Sequence, residues 1–144
     1  MNASRESVDL AAFAKLQALP GFVTTQRKFV HFSDMSSDQM PALLMVRRGE
    51  QVTQPAGQPS VTTISYDLLL YVQTGSDETI APSTVLNPLV DSVVNAFPVD
   101  NFNSQACTLG GLVVRAWIEG HIETDEGLLG QQGYAIVPLS IKAL

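Results

Sequence analysis

Apolar residues recur along this chain at two periods, and the switches between them mark out its elements. Val8, Ala12, Phe13, Leu16 and Leu19 stand three or four apart and form one stripe of a helix. Ser4 suits the N-cap, Glu6 and Asp9 fall in the first turns where the helix dipole favours negative charge, and Pro20-Gly21 ends the element. Phe22–Phe32 alternates and is rich in Val, Thr and Phe, which predicts a strand. Ser33–Asp38 reads as a polar turn, and Ala42–Val46, entered from Pro41, as a short buried strand. Val61–Gln73 is the clearest strand: Ile64, Tyr66, Leu68, Leu70 and Val72 share one face at period two. Its other face runs Thr63, Ser65, Asp67, Leu69, Tyr71 and turns apolar at the end, so either the chain itself or another subunit covers it there.

After a turn at Thr74–Asp77, a second amphipathic stripe (Leu86, Leu89, Val90, Val93, Phe97) predicts a helix over Ser83–Phe97. Pro88 admits two versions, a helix that runs through it or a shorter one with Asn87 as N-cap and Pro88 first inside. Pro98–Ser104 is a loop. Val113–Thr124 reads as one strand, with Val114, Ala116, Ile118 and Ile122 on one side. Gly127, Gly130 and Gly133 then predict a tight turn at positive φ, before a closing strand whose Ala135, Val137, Leu139 and Ile141 align. Helix, strands, helix, strands is too helix-poor for a doubly wound sheet. The order predicts a single α+β domain over residues 1–144: an antiparallel or mixed sheet of about five strands with two helices packed on one face.

Composition narrows the class. An apolar fraction of 45% in 144 residues is enough for a real core. The opening MNASRESVDL has no signal-peptide character and no run suits a membrane helix, which predicts a chain kept in a cytosol. The lone Cys107 has no disulfide partner and reads as a small buried hydrophobe. Net charge is −6 and uneven: residues 1–66 hold six basic and five acidic side chains, residues 67–144 two basic and nine acidic. That imbalance argues against nucleic-acid binding through phosphates.

Candidate chemistry is sparse. Glu119, His121 and Glu123 alternate on one strand face beside Arg115 and Trp117, but HExxH and a second ligand cluster are missing. The three glycines do not make a dinucleotide fingerprint, because a strand rather than a helix follows them. We therefore expect no catalytic, metal or cofactor residues. Arg27-Lys28 and Arg47-Arg48 carry most of the positive charge and suit the acidic half of a neighbouring copy in a head-to-tail arrangement. Glu50–Ser60, with one large apolar residue, reads as a long loop or a protruding hairpin tip.

The order and spacing of several segments resemble the tail terminator proteins of long-tailed bacteriophages, over nearly the whole chain. These are Arg5-Glu6-Ser7, Pro41-Ala42-Leu43, the strand ending Asp67-Leu-Leu-Leu-Tyr-Val, and Leu86-Asn87-Pro88-Leu89-Val90-Asp91. Thr108-Leu109-Gly110-Gly111-Leu112-Val113, Ile118-Glu119-Gly120, Gly127-Leu128-Leu129-Gly130-Gln131 and Ala135-Ile136-Val137-Pro138-Leu139 complete the series. Pro88, where an ordinary helix former is expected, departs from the pattern. The resemblance implies a non-enzymatic virion subunit, made late and assembled in the host cytoplasm. As a hexameric ring it would cap the tail tube, stop its growth and offer the head-joining surface. It would meet its own copies, the tube protein and a head-side neck protein, and pass genomic DNA without specific binding or any membrane contact. The alternative is another neck component, a head–tail joining or completion protein. On this reading Arg47, Arg48, Glu50, Gln51, Arg115 and Trp117 would face a subunit or the tube. Glu119, Glu123, Asp125 and Glu126 would face the lumen or a subunit boundary.

Overall fold

A computed structural model describes residues 3–75, 79–129 and 131–144. Their elements are α1 (Arg5–Gln17), β1 (Thr24–Gln26), β2 (Ala42–Thr53), β3 (Val61–Gln73), α2 (Pro82–Val94), β4 (Arg115–Ile118), β5 (Glu123–Leu129) and β6 (Gln132–Ala143). The sheet order is β1-β2-β3-β6-β4, with β5 pairing β6 beyond the end of β4. Only β1 and β2 run parallel, so the α+β sheet is mixed and has six strands.

Period-two alternation on β3 and β6 sets the layers. Ile64, Leu68, Leu70 and Val72 on β3, and Ala135, Val137, Leu139 and Ile141 on β6, are fully buried on one face. Against them pack Val8, Ala12 and Leu16 of α1 and Leu86, Leu89 and Val93 of α2. Burying each large side chain there contributes about 1.5–3 kcal/mol, which puts both helices on that one face. Cys107 belongs to the same cluster. On the reverse face Leu69 and Tyr71 are covered by the chain itself, through Met35, Met40 and Phe32. The rest of that face, around Ser65, Asp67, Pro138 and Ser140, has no such cover.

Ser4 caps α1 through a hydrogen bond from the Ser7 amide at 3.1 Å, as its sequence predicts. α2 takes the longer of the two readings and runs through Pro88. The proline removes one bond to the preceding turn, but Leu86, Leu89 and Val93 stay buried on both sides of it and hold the helix together.

Four expectations need correcting. The strand over Phe22–Phe32 shrinks to Thr24–Gln26, and Phe32 opens a 3-10 turn. Phe32 packs on the reverse-face cluster, and burying that ring outweighs the strand propensity of its neighbours. The short strand over Ala42–Val46 runs on to Thr53, whose register partner is Val61, so Glu50–Ser60 takes the second of its two readings, a hairpin tip. The strand over Val113–Thr124 is two strands, interrupted where Gly120 takes φ +126°. Finally, Gly133 does not lie in a positive-φ turn. It sits inside β6, where a Cβ would stand 2.8 Å from the Pro82 Cβ and 3.0 Å from the Asp125 carbonyl. Close approach of α2 to the sheet demands this glycine. Gly130, and Ser76 and Asp77 of the turn expected at Thr74–Asp77, lie outside the described residues. Among those described, no helix is long and apolar enough to cross a membrane.

Candidate functional site

Two features of the sheet do nothing for the core: an arm and a groove. The arm is the distal half of the β2–β3 hairpin. Every residue from 47 to 59 is exposed, and Val52 keeps 56% of its surface. β1 pairs only with Ala42, Leu43 and Leu44, so beyond them β2 is an edge of the sheet. A register shift between Arg47 and Gly49 bends the arm at its root.

That shift sends Arg47 and Arg48 to different partners. Arg47 donates to both carboxylate oxygens of Asp9 on α1 at 2.7 Å. Arg27 reaches the same carboxylate at 2.9 Å and Glu6 at 2.5 Å, and the Tyr66 hydroxyl donates to Asp9 as well. Burial, reinforced by the hydrogen bond to Asp9, pushes the Tyr66 phenol well above its ordinary pKa. Arg5 closes the set with Glu50 at 2.5 Å, and that hydrogen bond holds Glu50 below the usual carboxylate range. The base of the arm is thus tied to the first helix. Arg47 and Glu50, read from sequence as facing a neighbour, are both engaged within their own chain. Gln51 and Val52 stand further out, exposed.

Arg48 turns to the reverse face, 3.6 Å from Asp67. There Asp67, Ser65, Pro138 and Ser140 floor a groove of about 440 Å³, walled by Glu119, His121 and Glu123. The wall exists because the chain breaks between β4 and β5 at Gly120, where a Cβ would stand 3.1 Å from the Pro138 ring. Burial raises the Asp67 pKa, Glu123 adds to the rise and Arg48 opposes it. The recess is electronegative and would repel a phosphate backbone.

The sequence-derived acidic set is split by the fold. Glu119 and Glu123 line the groove. Asp125 pairs with Tyr134, further along the sheet. Glu126 accepts the Ser83 amide at 3.1 Å and so serves the start of α2, whose N-cap Ala81 offers no side-chain acceptor. On β4, the Arg115 guanidinium lies 4.8 Å from the Trp117 ring centroid, and the indole nitrogen donates to Glu119 at 2.8 Å. Arg115, Trp117 and Glu119 therefore form one continuous ridge beside the groove. Among the described residues no three His, Cys, Asp or Glu side chains are grouped to hold a metal.

Sequence reasoning missed Asp9 as an anchor. The available signal was its place beside Val8 and one turn before Ala12, inside the buried stripe of α1, where a lone carboxylate needs partners. The cations that supply them come from residues 27 and 47 and cannot be assigned locally. Comparison with protein-family models and with curated proteins gives no match.

Proposed function

We propose that this chain is a tail terminator subunit: a virion protein that assembles as a ring on the end of a phage tail tube, halts its polymerisation and presents the surface to which the head joins. The ordered segments that resemble that family motivate the reading. The observation that carries it is the arm, in which residues 51–59 project without core contacts from a root held by Asp9, Arg27 and Arg47. A rigid root with an exposed tip is what a subunit needs to reach a neighbouring copy or the tube. In this arrangement Arg48, Gln51 and Val52 make the contacts, while Arg47 and Glu50 aim them. The Arg115–Trp117 ridge is a second candidate contact, being rich in residue types favoured at interfaces. Glu119 and Glu123 suit a wall past which DNA slides, because the groove's acids outnumber its one arginine, Arg48, which is paired with Asp67, and so offer phosphates little to displace counterions. The subunit has no catalytic role in this scheme and takes no cofactor.

The test is electron microscopy of particles from a host carrying the phage genes with this one deleted. Overlong tails of uneven length are expected. Tails of normal length with unattached heads would move the chain to a joining role, and unaffected virions would end the tail reading.

A further inference from the structure

The chain carries an aromatic knob and an aromatic recess that cannot meet within one molecule. The knob is Phe102, 81% exposed, more than any other large hydrophobic side chain among the described residues. It is not on a loose loop. Asn101 and Ala106 are joined by a β-bridge, and the Asn101 side-chain oxygen accepts from the amides of Asn103 at 3.0 Å and Ser104 at 3.2 Å. Gln105, at φ +54°, donates its side-chain amide to the Phe102 carbonyl at 2.6 Å. Just outside, Asp100 accepts from Thr108 and Gly110 and pins the turn to the core segment containing Cys107. A large ring held out in water on a braced turn loses little conformational freedom on docking.

The recess lies on the reverse face, between Phe29, Phe32, Leu69, Tyr134 and Ile136. Phe32 and Tyr134 stack with centroids 6.1 Å apart and form one wall, and Phe29, 53% exposed, forms the rim. Its volume is about 190 Å³. Apolar cavities of about 150 Å³ take benzene, so one phenyl ring fits. Its lining includes His31 but no acid, lysine or arginine, and residues 101–106 carry no charge.

Topology keeps the two apart. The recess is built at Leu69, whose partner is Ile136, whereas the knob's root leads directly into Cys107, bridged to Ala116, which pairs with Ile141 opposite Ile64. Five residues of strand separate these levels, roughly 16 Å. Moreover, the root packs on the helix side of the sheet and the recess opens on the other. We propose that Phe102 of one copy seats in the Phe29–Phe32–Tyr134 recess of the next, a head-to-tail contact between different faces of the same chain. Repetition of such a contact closes a ring when the rotation allows. The proposal rests on the reading that copies of this chain assemble, and it names the surface they use.

The test uses the isolated protein. Phe102→Ala and Phe29→Ala change exposed side chains, and circular dichroism verifies their folding. In sedimentation velocity the unaltered protein should self-associate with little dependence on salt, and each variant should associate at least about tenfold more weakly. An equal mixture of the two variants should form dimers that grow no further, since each supplies one intact half. Independently, Asn103→Cys and Lys28→Cys, exposed neighbours that leave both rings in place, should give crossed dimers with a short bis-maleimide that neither gives alone; Cys107, 2% exposed, stays out of reach. A protein that stays monomeric to about 1 mM without crossed products, or that links only Asn103→Cys to itself, overturns the contact. Crossed products together with normal-length tails in the gene deletion would leave this contact standing and reject the terminator role.

Discussion

Arg47 of β2 and Asp9 of α1 are joined by two hydrogen bonds of 2.7 Å across 38 residues of sequence, and this pair fixes the direction of the arm. Asp9 is 7% exposed, while the Arg47 side chain keeps 32% of its surface. Asp9→Ala removes the partner of the buried Tyr66 hydroxyl and the carboxylate shared by two guanidinium groups, which keep Glu6 and Glu50. Allowing for solvent screening of the arginines, we expect a loss of about 2–4 kcal/mol. Urea unfolding measures it. A midpoint unchanged from the parent protein would mean that the network does not hold the helix.

Asp100 gives stability a dependence on acid. Amide hydrogens of Gly110 and Thr108, with the Thr108 hydroxyl, lower its pKa from an ordinary 3.8 to about 2. A carboxylate depressed in the folded state contributes stability that is present above the ordinary value and lost as pH falls through the folded one. Stability should therefore decline between about pH 4 and pH 2, and Asp100→Asn should flatten part of that decline. Urea midpoints at four or five pH values would decide it; parallel curves for the two proteins would contradict the assignment.

Gly133 and Gly49 provide a matched pair of tests. Alanine at Gly133 meets the Pro82 Cβ and the Asp125 carbonyl, and should cost about 1–3 kcal/mol. At Gly49 nothing stands within 4 Å of the new methyl, and the change should fall within about 0.5 kcal/mol. Thermal unfolding of both variants checks the contrast.

The tip of the arm should be dispensable for folding and needed for assembly. Thr53 and Val61 face each other in register, so an Asn-Gly turn can replace residues 54–60 without disturbing the strands. The shortened protein should unfold within about 1 kcal/mol of the parent. Phage carrying it should make tails of uneven length, and full tail-length control would remove the arm from the assembly surface.

Charge reversal in the groove addresses DNA passage. Glu119→Lys with Glu123→Lys places cations where phosphates would release counterions on contact. Packaging or ejection should slow, more at low salt than at high. Kinetics indistinguishable from the parent phage would place the groove away from the DNA path.

Local pattern alone determined a good deal of this protein. The burial of Ile64, Leu68, Leu70 and Val72, and of Ala135, Val137, Leu139 and Ile141, follows from alternation, because a strand's side chains change face at every residue. The cap at Ser4, the apolar stripes of both helices and the α+β class follow in the same way. Tertiary structure decided the remainder, always where a distant partner outweighed a local preference. Helix α2 crosses Pro88 because its apolar face is buried on both sides of that residue. Phe32 leaves the expected strand to reach Tyr134, and Gly133 answers to Pro82 rather than to a turn. The charged residues were the least legible. A carboxylate at position 9 and a guanidinium at position 47 look like two surface groups in sequence, and only folding brings them within 2.7 Å. Electrostatic pairing depends on separation in space, and separation between remote segments has no local code.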